Sequence, residues 1–295
     1  MEMVLHANAL LALAAAVLWG GGDFSGGMAV KNAGGTMGAA LRVILLSHAV
    51  SLAILLAVVW WRADAFPHRT ALAWGLLAGV TAGIALACFY VALSRGAMGA
   101  SAALSGLLAA AIPAMVSAGA EGSPGLLRLA GFLVAGAAIW LIAAGPNPEA
   151  KTADQGTMWL AVIGGVGFGI YFVALKFAGS AGIIWPLATA RMGSLAVCSL
   201  LVGGMAWRAK AGGEEFRLTR RMVVWAMGAV LLDTTGNLLF IAATRAGRLD
   251  VASVLASLYP ASTILLAAWT LHERPTRRQG LGMAVAALAV VMITV

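Results

Sequence analysis

Two stretches 150 positions apart carry the same pattern: Phe89 through Gly96 reads FYVALSRG, and Leu239 through Ala246 reads LFIAATRA. Each closes a long apolar run, and each precedes another run that is rich in small residues and contains a proline. Leu41-Arg42-Val43 recurs as Ala190-Arg191-Met192, and Trp19-Gly20 as Phe168-Gly169. A duplication within so apolar a chain is the mark of a membrane protein made of two related halves. Such proteins are commonly transporters, with the site at the seam between the halves.

The composition agrees. Hydrophobic residues make up 62% of the chain and charged residues 10%, against roughly a quarter charged in a globular protein. A soluble surface cannot be covered with so few polar groups. At about 20 apolar residues per span, 295 residues hold ten spans joined by tight turns. The net charge of +8 lies in short loops, which assigns it to topology and to contact with membrane lipid and excludes nucleic acid as a partner. The opening Met1-Glu2-Met3-Val4 lacks the basic start of a signal peptide, so the run after it reads as the first helix. Cys88 and Cys198 sit inside apolar runs with no metal-like spacing and read as packing residues; neither a metal nor a cofactor is expected.

The fold expected is an all-α membrane protein, with ten transmembrane helices arranged as two inverted five-helix repeats. The first repeat occupies 1–145, with spans at 5–29, 37–61, 70–94, 98–119 and 126–144. Residues 146–156, which mix proline and charge, form a linker. The second repeat occupies 157–295, with spans at 157–178, 183–204, 220–244, 248–269 and 279–295. Five is odd, so the second copy enters the membrane from the opposite side. The repeats are then related by a two-fold axis in the membrane plane, the basis of alternating access. Alternating the loops puts six basic residues on the side of the termini and eleven on the other, and the positive-inside rule places the termini outside. Trp60, Trp61, Trp159, Trp207, Trp225 and Trp269 fall near span ends, where indoles favour the interface.

Gly75, Gly79 and Gly83 form GxxxGxxxG in the third span, and Gly22 and Gly26 repeat the spacing in the first. Such stripes let helices approach closely in lipid. Pro113 and Pro260 lie within the fourth and ninth spans, where each is expected to kink its helix.

Four charges are placed well inside spans: Asp23, Arg42, Arg191 and Asp233. Each costs about 2.5–3.5 kcal/mol at a span centre, so none should face lipid. Asp23 and Arg42 lie at matching depths, roughly 8–9 Å from one face at 1.5 Å per residue. A structural ion pair and a substrate or proton role both stay open for Asp23. Arg191 is the repeat-mate of Arg42. Asp233 has no base one turn away, and Asn237 stands four residues on, on the same helical face; a carboxylate there suits proton loading. His48 reads as a satisfied interior histidine that could also titrate. Trp19, Phe24, Tyr171 and Tyr259 are packing residues or cavity walls. Asp250 and Lys31, at span ends, are expected to reach solvent.

Catalytic patterns are sparse. Gly20-Gly21-Gly22-Asp23 contains the GxGD of intramembrane aspartyl proteases, but Leu231-Leu232-Asp233 lacks the second signature. HExxH, GxSxG and phosphate-binding glycine loops are absent from the sequence. That disfavours an enzyme or an ATP-driven pump, and interior charges in paired apolar halves disfavour a non-transporting subunit.

Three places carry a family resemblance. Leu18-Trp19-Gly20 opens the first span, Arg42 heads the second, and Leu255 through Gly282 reads LASLYPASTILLAAWTLHERPTRRQGLG, with an L-x-E-R-x-x-x-x-Q loop. These resemble the EamA-domain members of the drug/metabolite transporter superfamily. The first-half copy, Leu107 through Gly131, keeps Glu121 but has Gly122 in place of the basic partner. The resemblance implies a basket-like ten-helix bundle in the bacterial inner membrane that moves small metabolites, often outward. Asp23 departs from members without an acid there, so no substrate is carried over. The expected partners are a small-molecule substrate such as an amino acid, lipid and, if transport is coupled, protons; the chain is a monomer or homodimer.

Overall fold

The computed structural model describes residues 2–95, 98–143, 155–208, 219–270 and 276–294. Most of the linker, residues 146–154, lies outside them, as do Glu273 and Arg274 of the L-x-E-R loop. Every regular element among the described residues is helical. The first half contributes α1 (Glu2–Asn32), α2 (Met37–Arg62), α3 (Arg69–Ser94), α4 (Met98–Ala120) and α5 (Leu126–Ala143). The second contributes α6 (Gln155–Ala178), α7 (Ile184–Arg208), α8 (Arg220–Ala246), α9 (Leu249–Ala256), α10 (Tyr259–Thr270) and α11 (Arg277–Thr294). Among the described residues eight stretches are long and apolar enough to cross a membrane, the α9–α10 run counting as one; those in α4 and α5, Leu104–Ala120 and Leu126–Ile142, are shorter.

Local chemistry sets the ends. Gly34 and Gly35 take positive φ between α1 and α2, a region that suits residues without a Cβ. Thr36 then caps α2, accepting from the Ala39 N–H at 3.1 Å. Thr219 caps α8 in the same way through Met222, also at 3.1 Å. Each cap satisfies an amide that the helix cannot.

The two prolines behave differently, and one expectation needs correcting. Pro113 sits inside an uninterrupted α4. The ninth span does not bend at Pro260; it breaks. α9 ends at Ala256 and α10 starts at Tyr259, so Pro260 occupies the first turn of a new helix. A first-turn proline has no intrahelical N–H to lose, so a restart satisfies the backbone better than a kink.

The principal helix contacts run between the halves: α1 against α8, α3 against α6 and α7, α2 against α7, α4 against α6 and α9, and α5 against α11. Small residues make this possible. Ala12, Ala15, Ala29, Ala40, Ala78 and Ala85 are fully buried, while Leu10, Leu200, Val224 and Leu231 face outward. That is the arrangement expected in lipid, where close packing rather than burial from water joins helices. Trp60, Trp61, Trp207 and Trp269 are exposed near helix ends.

A polar latch ties the halves together at the ends of α4, α6 and α8. Lys176 Nζ lies 3.2 Å from Glu121 Oε1 and donates to the Thr244 carbonyl at 2.7 Å. Glu121 Oε2 accepts from Ser117 at 2.7 Å and from the Leu249 N–H at 3.2 Å. Arg248 donates to the carbonyls of Glu121 and Gly122 and pairs with Asp250 at 2.7 Å. Asp250 therefore does not reach solvent as expected; it is fully buried, since Arg248 and its own helix N-terminus supply its partners. Lys31 is exposed.

Partial burial alone would raise the Glu121 carboxyl; the Ser117 bond and the Lys176 charge outweigh it and hold the carboxyl below its ordinary range. A depressed acid stabilises the fold above its unfolded-state pKa, near 4.3, and loses that stabilisation as pH falls through the lower folded value. Glu121→Gln should therefore cost about 1 kcal/mol at pH 7, read as a lower melting temperature. The gap to wild type should close as pH drops below about 4.

Candidate functional site

A chain of buried polar contacts crosses the molecule where α2, α6, α7 and α8 meet. The glycine stripe of α3 creates the space for it. A methyl on Gly75 would overlap Thr189, one on Gly79 would overlap the Ala190 carbonyl, and one on Gly83 would lie 2.9 Å from Ser194 Oγ. Those three contacts lie on α7 around Arg191, so the close α3–α7 crossing fixes the backbone from which that arginine projects. Gly22 of α1 does the same for α8: a methyl there would come within 3.3 Å of the Asp233 amide nitrogen.

Arg191 is almost wholly buried, its side chain 3% exposed. Its Nη2 donates to Asp233 Oδ2 in a short, direct ion pair. Its Nε donates to Ser51 Oγ at 3.1 Å, and its Nη1 lies 2.9 Å from His48 Nε2. A guanidinium only donates, so His48 Nε2 accepts and the ring proton sits on Nδ1. That proton goes to Ser194 Oγ at 2.7 Å, and the imidazole is neutral in this arrangement. Ser51 Oγ accepts from Arg191 and also lies 2.8 Å from Thr234 Oγ1, one hydroxyl donating to the other.

On the far side, Asn237 Nδ2 donates to Asp233 Oδ1 at 2.9 Å, and Tyr171 donates its hydroxyl to Asn237 Oδ1 at 2.5 Å. The Asp233 side chain is 25% exposed, so the acid is the accessible partner. Beside it lies a cavity of about 10 Å³ lined by Ser47, His48, Ser51, Tyr90, Asp233 and Thr234, with apolar walls from Ile44 and Leu86. That is room for about one water. The site is closed around its ion pair.

Arg191, Asp233, Asn237, His48 and Tyr171 are thus brought together, and Asp233, read from its own helix as lacking a base, gains one from α7. Ser51, Ser194 and Thr234 were missed. Each lies beside or one turn from a singled-out residue, but serines and threonines are common in spans and usually bond their own helix.

Neither Asp23 nor Arg42 lines the cavity beside Asp233. Asp233 is a like-charge neighbour of Asp23, which matching depth with Arg42 did not anticipate. Arg42 is half-buried on α2. The aromatic residues are packed: Trp19 stacks on Phe172 at 5.1 Å, Phe24 meets Trp225 edge-on at 5.7 Å, and Tyr259 meets Phe89 at 6.3 Å. Cys88 and Cys198 are buried thiols. An aspartyl-protease dyad needs two carboxyls sharing a proton, whereas Arg191 and Asn237 between them occupy both oxygens of Asp233.

Residues 155–295 match the EamA-like transporter family. The second half of this chain is an EamA domain. The match spans α6 to α11 and so includes Arg191, Asp233 and Asn237. One of fifteen matching solved chains, described only as the crystal structure of a protein, aligns with a TM-score of 0.72. It is 16% identical, and the alignment covers 97% of this chain and 96% of that one. This likeness shows the fold over nearly the whole length. Among curated proteins no match is found. The matched family is one of transporters, and this chain is an apolar, helical membrane protein whose second half carries that family's domain.

Proposed function

We propose that the protein is a secondary transporter which exports or exchanges a small zwitterionic metabolite, such as an amino acid, across the bacterial inner membrane. In this reading ten spans form two inverted five-helix halves that alternate access to a site at their seam. The packing supports the inversion. Under an exchange of the halves α1 corresponds to α6 and α3 to α8, and α1–α8 and α3–α6 are the two most extensive helix contacts among the described residues.

The observation that carries the proposal is the pair of buried Arg191 and partly buried Asp233, with Arg191 held by His48 and Ser51 from the first half, beside a cavity with no room for a solute. Burying two charges is costly, and an apolar pair of similar volume often does as well or better; intramembrane charges therefore mark a pathway. In the loaded state a substrate ammonium replaces Arg191 at Asp233, and a substrate carboxylate takes the freed guanidinium. Without substrate the two side chains close on each other. A proton on Asp233 serves the same end, releasing Arg191 and coupling transport to pH.

A thermal-shift screen of the purified protein against amino acids, nucleosides, vitamins and organic cations tests this. A ligand at a hundred times its Kd stabilises by about 2.7 kcal/mol. We expect amino acids to stabilise wild type and to lose that effect in Asp233→Asn, whose amide oxygen still accepts from Arg191. A ligand that shifts both proteins equally removes Asp233 from the site. Transport should also vary between pH 5.5 and 8; a flat rate that ignores a proton gradient excludes coupling.

A further inference from the structure

A second cavity, of about 660 Å³, opens between the α2–α3 loop and the α6–α7 turn. Its lining includes Arg62, Asp64, Phe66, His68, Trp185 and Arg245. We infer that it binds an amphipathic anion, a carboxylate or phosphate monoester carrying an apolar body.

The charge balance gives the sign of the ligand. Asp64 is already engaged by Arg62, whose Nε lies 3.2 Å from its carboxylate. Arg245 donates to the Gly179 carbonyl, a neutral acceptor that leaves its charge uncancelled. Two guanidiniums therefore face the cavity against one carboxylate, with His68 also in the wall.

The apolar half of the ligand has its own platform. Trp185 is buried and spends its N–H on the Asp64 carbonyl at 3.5 Å, while Phe66 stands edge-on to it at 5.0 Å and is 67% exposed. An exposed phenyl ring held against a fixed indole, within reach of an uncancelled guanidinium, is complementary to a ring or chain ending in an anion. The volume is that of sites for drug-sized ligands, about 300–1,000 Å³.

This site is separate from the Arg191 pair, although the same two helices serve both. Ser51 lies three turns down α2 from Arg62, and Arg191 two turns down α7 from Ile184, which puts roughly 10–16 Å between the sites. Leu55 and Leu187, both fully buried, are interposed along those helices. A ligand in the cavity touches the loop of one half and the turn of the other. Its use as a waiting position for transport rests on the function proposed above; its binding does not.

The test is titration calorimetry on detergent-purified wild type with phenylacetate, phenyl phosphate and the neutral phenylacetamide. We expect both anions to bind and the amide to bind at least tenfold more weakly. Arg62→Gln/Arg245→Gln should lose at least tenfold in anion affinity while melting within a few degrees of wild type. Arg62→Gln alone gives an intermediate loss and guards against a folding defect in the double variant. Asp233→Asn should bind the anions as wild type does, which keeps this site distinct from the central one. Competition by phosphatidylglycerol, but not phosphatidylcholine, identifies a lipid phosphate as the natural source; no competition identifies a soluble anion. Equal binding of amide and anions, or anion binding untouched in the double arginine variant, overturns the inference.

Discussion

Asp233→Ala should be the more destructive way of breaking the central ion pair, costing about 3–5 kcal/mol, whereas Arg191→Met costs visibly less. Counting contacts alone would rank them the other way, since Arg191 also holds His48 and Ser51, whereas among the described residues the Asp233 carboxylate has only Asn237 besides. Burial and protonation chemistry reverse that order. Removing Asp233 strands a guanidinium whose side chain is 3% exposed, and a guanidinium cannot give up its proton. Its remaining partners, His48 Nε2 and Ser51 Oγ, accept hydrogen bonds without carrying charge. Removing Arg191 instead strands a carboxylate that is 25% exposed, still bonded to Asn237 and able to take a proton. The double variant Arg191→Met/Asp233→Leu should recover most of the lost stability, since paired charges can be exchanged for apolar volume. It should not recover transport. Melting temperatures of the four proteins in one detergent decide this: equal losses for the two single variants would mean the stranded charge is not what sets the cost.

The second large effect is expected at the α3–α7 crossing. Gly79→Ala should destabilise the protein by about 1–3 kcal/mol, the range for overpacking, although alanine is the better helix former by up to about 1 kcal/mol. Steric overlap wins because the obstruction is backbone. A Cβ on Gly79 would run into the Ala190 carbonyl and sit 2.8 Å from the Ser194 nitrogen, and the facing Gly193 has its own Cβ position 3.2 Å from the Gly79 α-carbon. No side-chain rotation relieves either contact, so the helices must separate. Arg191 follows Ala190 directly, and its grip on His48 and Ser51 should loosen with it. Ligand affinity should therefore fall along with stability. Gly204→Ala provides the control on α7, the other helix of the crossing: nothing lies within 4 Å of that position, and the change should be neutral or slightly stabilising. If both substitutions behave alike, the glycine stripe is not setting the crossing.

These contacts show what one dimension of information can and cannot hold. Helix positions were legible because lipid demands long apolar runs, and the Gly75-Gly79-Gly83 stripe announced a close crossing. Asp233 and Asn237 were legible as one face of α8 because four residues make about one turn. The partner of Asp233 was not, since Arg191 lies 42 positions earlier on another helix and spacing says nothing about which helices touch. Matching depth suggested Asp23 with Arg42, but depth leaves the rotation of each helix open and says nothing of Asp233 as a like-charge neighbour of Asp23. Pro260 marked a disruption without choosing between a bend and a restart. Asp250 shows the converse error: a span end reads as solvent-exposed, yet Arg248, two residues away, folds back to bury it.

Substrate counterflow in proteoliposomes tests the account most directly. Vesicles loaded with the amino acid that stabilises the purified protein are diluted into a trace of the same labelled compound. Wild type should accumulate label transiently, without any other energy source, and Asp233→Asn should not. A protein that binds the amino acid and folds correctly, yet gives no counterflow in either orientation, would contradict the claim that the Arg191–Asp233 site opens alternately to the two sides of the membrane.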